Sequence, residues 1–260
     1  MTLEETATAV ITIGIDPEID LGPLMLSWHG LTIAIGVLVG GMAAARYLRE
    51  RDLDIDPLYV IGALIVLGAI VGGRLFYVLE HGGAILGTRG FTFDGGFILA
   101  AALIAAYVWR EGLSARYLDA VAFGLPLGVA VGRIGDVING EHYGPQTEFF
   151  LAVRNSHPDA LTPNPELAYH SGGLYEVLLA SLILAVVWPL RHRLHTGALV
   201  WLVVALFSLG RFFEFFARSD SPELALGLNN AQWTSLGLFS VALAGWRLTI
   251  GRRVPEAGGR

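Results

Sequence analysis

Residues 58–79 read LYVIGALIVLGAIVGGRLFYVL, with Arg74 as the single charged side chain. About 20 apolar residues at helical rise span the ~30 Å hydrocarbon core of a bilayer. Similar runs recur on both sides of this stretch, and seven spans are expected at roughly 24–45, 58–79, 95–109, 117–134, 174–190, 197–216 and 232–250. The third and fifth are short. Gly95-Gly96 at the entry of the third predicts irregular backbone, which membrane depth tolerates only where protein or water satisfies its polar groups. The composition agrees: of 260 residues, 54% are hydrophobic and 15% charged, more apolar than one soluble core requires. The expected fold is an all-α polytopic membrane helix bundle forming a single integral domain over residues 1–260.

The chain has no cysteine, and all 17 of its basic side chains are arginine. The first fact excludes disulfides, thiolate metal sites and a cysteine nucleophile of the chain's own. The second excludes a retinal Schiff base, which needs a lysine. The arginines also set an orientation. Arg46, Arg49, Arg51, Arg110, Arg116, Arg191, Arg193, Arg247, Arg252, Arg253 and Arg260 fall on one face of the seven-span arrangement, against Arg89, Arg154 and Arg218 on the other. The positive-inside rule makes the first face cytoplasmic, with the N-terminus outside and the C-terminus inside. Residues 1–21, with Glu4, Glu5, Asp16, Glu18 and Asp20 and no arginine, lack the basic start of a signal peptide and read as an external segment. The longest connection, 135–173, is extracytoplasmic, polar and broken by Pro145, Pro158, Pro163 and Pro165. It is too long for a simple linker.

Arg74, Arg133 and Arg211 lie at or inside spans, toward the outer half of this topology. A charge at membrane depth costs about 2.5–3.5 kcal/mol on insertion scales, so each needs a partner, a cavity or the headgroup region. Glu80, Asp94, Asp136, Glu141, Glu176 and Glu214 gather at the same level. Ion pairs between helices are one account, with Arg211 and Glu214 at i,i+3 the simplest example. The other is a phosphate site, because guanidinium matches phosphate bidentately and phospholipid headgroups supply phosphate at that depth. A proton or ion pathway would spread ionisable groups through the full depth, so transport is less favoured. The seven histidines show no paired helical spacing on a shared face, and no metal site is expected.

The run from Gly132 to Gly144, Gly-Arg-Ile-Gly-Asp-Val-Ile-Asn-Gly-Glu-His-Tyr-Gly, resembles the Gly-Arg-x-Gly-Asn-x-x-Asn-x-Glu-x-x-Gly signature of the prolipoprotein diacylglyceryl transferases, with Asp136 in place of asparagine. Trp28-His29-Gly30 is similar to the family's Trp-Tyr-Gly, and Gly72-Gly73-Arg74 to its second-span glycine-arginine. Leu174-Tyr175-Glu176 resembles its Leu-Tyr-Glu, and Arg211 through Arg218 resembles its sixth-span Arg-Phe-x-x-Glu-Phe-x-Arg stretch, with Arg211 and Glu214 three apart where four is common. Phe93-Asp94-Gly95-Gly96 stands where the family has phenylalanine followed by His-Gly-Gly, so Asp94 replaces a histidine.

This resemblance implies transfer of the diacylglyceryl group of phosphatidylglycerol to the lipobox cysteine of a prolipoprotein, with release of glycerol phosphate. The enzyme would be a multi-pass protein of the cell membrane with its site toward the extracytoplasmic leaflet. The partners implied are phosphatidylglycerol, lipobox-containing prolipoproteins and membrane lipid, without nucleic acid, metal or cofactor. Arg133, Glu141, Arg211, Asp94 and His29 are the expected catalytic residues. Arg74, Asp136, Asn139, Gly144, Tyr175 and Glu214 are expected to bind substrate. The arginines would hold the headgroup and stabilise the leaving phosphate. Asp94, Glu141 or His29 would assist deprotonation of the substrate thiol. The alternative left open by Asp94 and Asp136 is a family-derived protein that binds anionic lipid or precursor without this transfer.

Overall fold

Apolar side chains that a soluble protein would bury are exposed along the helices. On α2 (Pro57–His81) only 28% of the apolar stretch is buried, while Val66, Leu67, Ile70, Val71 and Leu79 lie open. A contiguous apolar surface of this extent belongs against lipid rather than water. The computed structural model describes residues 10–22, 25–86, 90–219, 221 and 223–251. Arg89, Arg252, Arg253, Arg260, Glu4 and Glu5, used above for orientation and for the N-terminal segment, lie outside the described residues.

The other long helices are α1 (Trp28–Arg49), α3 (Phe93–Arg110), α4 (Arg116–Gly132), α6 (Gly172–Leu190), α7 (Ala198–Glu214) and α8 (Asn230–Gly251); a short α5 (Ile134–Asn139) follows α4. A helix thus stands at each of the seven expected positions. Among the described residues, six stretches are long and apolar enough to cross a membrane, α4 with α5 counting as one. The chain is a multi-pass membrane helix bundle. The seventh helix, α8, is not among the six: Asn230, Gln232, Thr234, Ser235 and Arg247 make it more polar. The backbone through Gly95-Gly96 departs from expectation. Both glycines lie in regular helix, and their role is close packing.

Contacts group the chain into two units. Unit 1 comprises Met1–Gly40, Leu125–Val186 and Leu206–Phe239; unit 2 comprises Gly41–Gly124, Val187–Ala205 and Ser240–Arg260. In unit 2, α2 packs on α3 through small residues. A Cβ at Gly68 would collide with Ala100, and one at Gly72 with the Gly95 carbonyl. Without a hydrophobic drive between helices in lipid, such close backbone approach is a main source of association. Asp119, fully buried on α4, accepts the backbone N–H groups of Gly197 at 2.8 Å and Val200 at 3.2 Å, so this buried acid caps the start of α7.

Unit 1 carries the polar connections. Strands β1 (Ile11–Ile13), β4 (Tyr143–Gln146), β5 (Val153–Asn155) and β6 (Tyr169–Ser171) form a sheet in the order β1-β5-β6-β4, with β1 parallel to β5 and the remaining pairs antiparallel. The long 135–173 connection is therefore folded, and the described part of the N-terminal segment joins it. Two small hairpins pair β2 (Glu18–Asp20) with β3 (Met25–Ser27), and β7 (Glu223–Ala225) with β8 (Leu228–Asn229). Each leads directly into a capped helix. Ser27 Oγ accepts the Gly30 N–H of α1 at 3.1 Å, and Asn229 with Gln232 exchange reciprocal side-chain to backbone bonds at the start of α8.

Candidate active site

The site in unit 1 is built where α4 and α5 press against the first turns of α1. A Cβ at Gly36 would meet the Gly128 carbonyl, and one at Gly135 would strike Thr32 and the His29 backbone. Glycine at these positions lets the helices touch through backbone. Thr32, buried in the seam, donates its hydroxyl to the Gly132 carbonyl at 2.8 Å and accepts the Gly135 N–H at 3.1 Å. That contact sets His29 beside Asp136.

His29 Nδ1 lies 2.5 Å from Asp136 Oδ1 and 3.2 Å from Glu141 Oε2. The Asp136 carboxylate is fully buried, and its other oxygen takes Nη1 of Arg133 and lies 3.7 Å from His142 Nε2. Gly173, at the head of α6, packs against Asp136 where a larger residue would collide. Glu141 is held from its other side by the Asn139 amide at 2.9 Å, after α5 is terminated by Gly140 in the left-handed conformation (φ 72°). Asn155 of β5 donates to the carbonyls of Val137 and Ile138 at 2.9 and 3.0 Å, fixing the end of α5.

A second layer of charge adjoins the first. Glu176, fully buried in α6, receives Arg133 Nε on one oxygen and Arg211 Nη1 on the other, with Arg218 Nη1 at 3.6 Å. Arg218 also donates to Glu214 Oε1 at 3.1 Å and to His142 Nδ1 at 2.8 Å. The Arg211–Glu214 pair expected at i,i+3 spans 3.9 Å, and Glu176 is the closer partner of Arg211. The Phe215 ring lies under the guanidiniums of Arg218 and Arg211, at 4.4 and 4.9 Å. Three arginines thus meet three buried carboxylates, Asp136, Glu176 and Glu214. Breaking a buried ion pair from one side costs about 3–5 kcal/mol, so the members hold one another in place.

Gly144 needs to be glycine, because a Cβ there would enter the Ala217 carbonyl; β4 closes directly on the end of α7. Tyr175 hydrogen-bonds His170 Nδ1 through its hydroxyl at 2.5 Å. Next to Glu141, a shallow surface depression is lined by Tyr143, Asn155, Thr162, Tyr169, His170 and Ser171 among others. His29, Asp136 and Glu141 also offer three donor atoms within 4.8 Å of one another. The Asp136 and Glu141 carboxylates already take Arg133 and the Asn139 amide, a donor set suited to proton handling.

The sequence profile of the family described as prolipoprotein diacylglyceryl transferase matches residues 18–248, which contain every residue of this network. The chain belongs to that family. Proteins named phosphatidylglycerol–prolipoprotein diacylglyceryl transferase are similar to it in several bacteria. The one from Erythrobacter litoralis is 31% identical over 252 residues, covering 89% of this chain and 88% of the relative. The Nostoc protein is 30% identical over 263 residues, covering 92% and 91%. The Frankia alni protein is 34% identical over 235 residues; the match covers 84% of this chain but only 61% of that longer relative. Membership makes the chain a membrane-embedded diacylglyceryl transferase by family, as its signature residues implied.

Within this family member, His29, Arg133, Asp136, Asn139, Glu141, Gly144, Tyr175, Arg211 and Glu214 all fall in unit 1, and Asp94 and Arg74 fall in unit 2. Asp94 occupies the first turn of α3, where a carboxylate complements the helix macrodipole. Arg74 donates Nε to the Ile85 carbonyl at 3.2 Å, Nη1 to Gly90 at 3.0 Å and Nη2 to Ala84, organising the turn after α2. Sequence reasoning assigned no site role to Glu176, Arg218, His142 or Asn155. Glu176 was detectable, as the only charged side chain in Gly172–Leu190. Arg218 was counted with the loop arginines, although it continues the helical face of Arg211 and Glu214 at i+7 and i+4.

Proposed function

We propose that this chain transfers the diacylglyceryl group of phosphatidylglycerol to the cysteine thiol of a lipobox-containing prolipoprotein. The carbon–oxygen bond between the diacylglyceryl carbon and the phosphate breaks, a carbon–sulfur thioether forms, and glycerol phosphate leaves. The thiol proton passes to a base of the site, and the leaving phosphate takes the bonding electron pair. The observation that carries this reading is the buried set of Arg133, Arg211 and Arg218 around Glu176, adjoining the half-exposed His29 and Glu141.

Guanidiniums held by buried carboxylates are pre-oriented. They stabilise charge growing on the leaving phosphate without rearranging during the reaction. Binding of the monoanionic headgroup then rests on directed N–H donors rather than on net positive charge, since the carboxylates Asp136, Glu141, Glu176 and Glu214 outnumber the three arginines. The alternative of a binding-only relative drew on Asp94 and Asp136; for Asp136, pairing with His29 and Arg133 offsets the extra charge and supports the transfer reading. We further read the chain as one integral domain of the cell membrane. Its N-terminus is outside and its C-terminus is cytoplasmic, with the site toward the outer leaflet, on the 11-to-3 arginine bias.

The test is transfer by purified protein in phosphatidylglycerol vesicles to a lipobox peptide, followed by mass spectrometry. The expected product is the diacylglyceryl thioether together with free glycerol phosphate. Absence of product with phosphatidylglycerol and with other anionic phospholipids overturns the reading.

A further inference from the structure

We infer that His29 is the proton acceptor for the substrate thiol and that Asp136 positions it, a reading that rests on the transfer proposed above. His29 Nδ1 faces two oxygens, Asp136 Oδ1 at 2.5 Å and Glu141 Oε2 at 3.2 Å. Carboxylates only accept hydrogen bonds, so Nδ1 carries a ring proton, and in the neutral imidazole the lone pair is then on Nε2. An imidazole fixed in one tautomer by a buried carboxylate is the arrangement a general base requires. The two partners differ in exposure as the roles demand. The His29 side chain is 34% exposed, whereas Asp136 is fully buried and gripped by Arg133, with Gly173 packed against it.

The competing bases fit less well. Glu141 holds the Asn139 amide on one oxygen and faces the His29 ring with the other, so both its oxygens are engaged. Asp94 sits in the first turn of α3, in unit 2, and is not among the residues that meet around Asp136. Charge counting points the same way. The groups around His29 and the adjoining layer are Arg133, Arg211 and Arg218 against Asp136, Glu141, Glu176 and Glu214, with His142 beside Asp136. Three positive and four negative charges leave a deficit of one, which the imidazolium formed on taking the thiol proton fills. His29 and Asp136 are also the two places in unit 1 where this chain carries histidine for the family's tyrosine and aspartate for its asparagine, and the fold joins those two departures into one pair.

The experiment measures initial transfer rates against pH for wild type, His29→Gln, Asp136→Asn and the double variant, in phosphatidylglycerol vesicles with a lipobox peptide. His29→Gln is expected to lose about 10²–10⁴-fold near neutral pH, the usual contribution of a general base. It should recover as pH rises toward the thiol's own ionisation near ~8.5, which a structural lesion would not do. Asp136→Asn should displace the acid limb of the wild-type profile, and the double variant should lose no more than His29→Gln alone. In parallel, ¹⁵N-histidine spectra should show the Nδ1–H tautomer in wild type and its loss in Asp136→Asn. If wild type transfers and His29→Gln matches it, or the two losses multiply, the inference is overturned. Rate loss on chelation, restored by a divalent cation, also overturns it in favour of a bound metal. If wild type shows the tautomer but transfers nothing, the functional reading falls and the pair's role as a thiol base falls with it.

Discussion

Arg133 touches Asp136 with one nitrogen and Glu176 with another, so a single guanidinium links the His29 pair to the Arg211–Arg218 layer. A lysine at this position keeps the charge but offers a point-like ammonium that cannot reach along two edges. Arg133→Lys is expected to retain phosphatidylglycerol binding in a vesicle sedimentation assay. It should lose at least about tenfold in transfer rate, equivalent to ~1.4 kcal/mol of transition-state stabilisation. A wild-type rate would show that charge alone suffices. Outside the spans, burial pushes the His170 imidazole below its ordinary value. A depressed histidine contributes stability above the unfolded value of about 6.5 and loses that contribution as pH falls through the folded value. The thermal midpoint in detergent should therefore fall on acidification below ~6.5, and His170→Gln should flatten that part of the curve. An unchanged slope in the variant would exclude His170 as its source.

At the scale of elements, the apolar runs were legible, and each expected span has a helix within a few residues. What the sequence did not disclose was how elements touch. His29 and Asp136 are 107 residues apart, and only the glycine seam between α1 and α4–α5 brings them together. Gly95-Gly96 read as a break because glycine disfavours isolated helices, yet between helices in lipid its missing Cβ permits close contact. The sheet escaped notice for another reason: its strands are three or four residues long and sit among prolines, too short for alternation to register. The seam gives a direct prediction. Thr32→Val keeps the shape but removes the hydroxyl that joins the Gly132 carbonyl to the Gly135 N–H. Leaving those groups unmet is expected to cost about 1–3 kcal/mol. It should appear as a lower unfolding midpoint together with reduced transfer, because His29 rides on the same turn. Thr32→Ser should restore both, and a valine variant as stable and active as wild type would detach the seam from the site.

For the whole molecule, the arginine distribution and the polar fold bear on the same question of sidedness. The segment Gly135–Gly173 carries most of α5, three strands and much of the site, and it follows the C-terminal end of α4, whose first residue is Arg116, and leads into α6, which is followed by Arg191 and Arg193. Under the proposed orientation the connection that bears Glu141 meets secreted precursors, and the basic ends stay where positive charge is retained. The α8 helix decides whether this holds at the C-terminus, since among the described residues it is the one long helix not apolar enough to count among the six. If α8 crosses, Thr147 and Arg260 are on opposite sides; if it lies along the surface, they share one. A reporter active only outside, inserted after Thr147 and separately fused after Arg260, is expected to be active at the first position and silent at the second. A cytoplasm-specific reporter should give the inverse. Activity of the same reporter at both positions would reduce the crossings to six, and Arg247 would then have to sit on the face that the positive-inside rule disfavours.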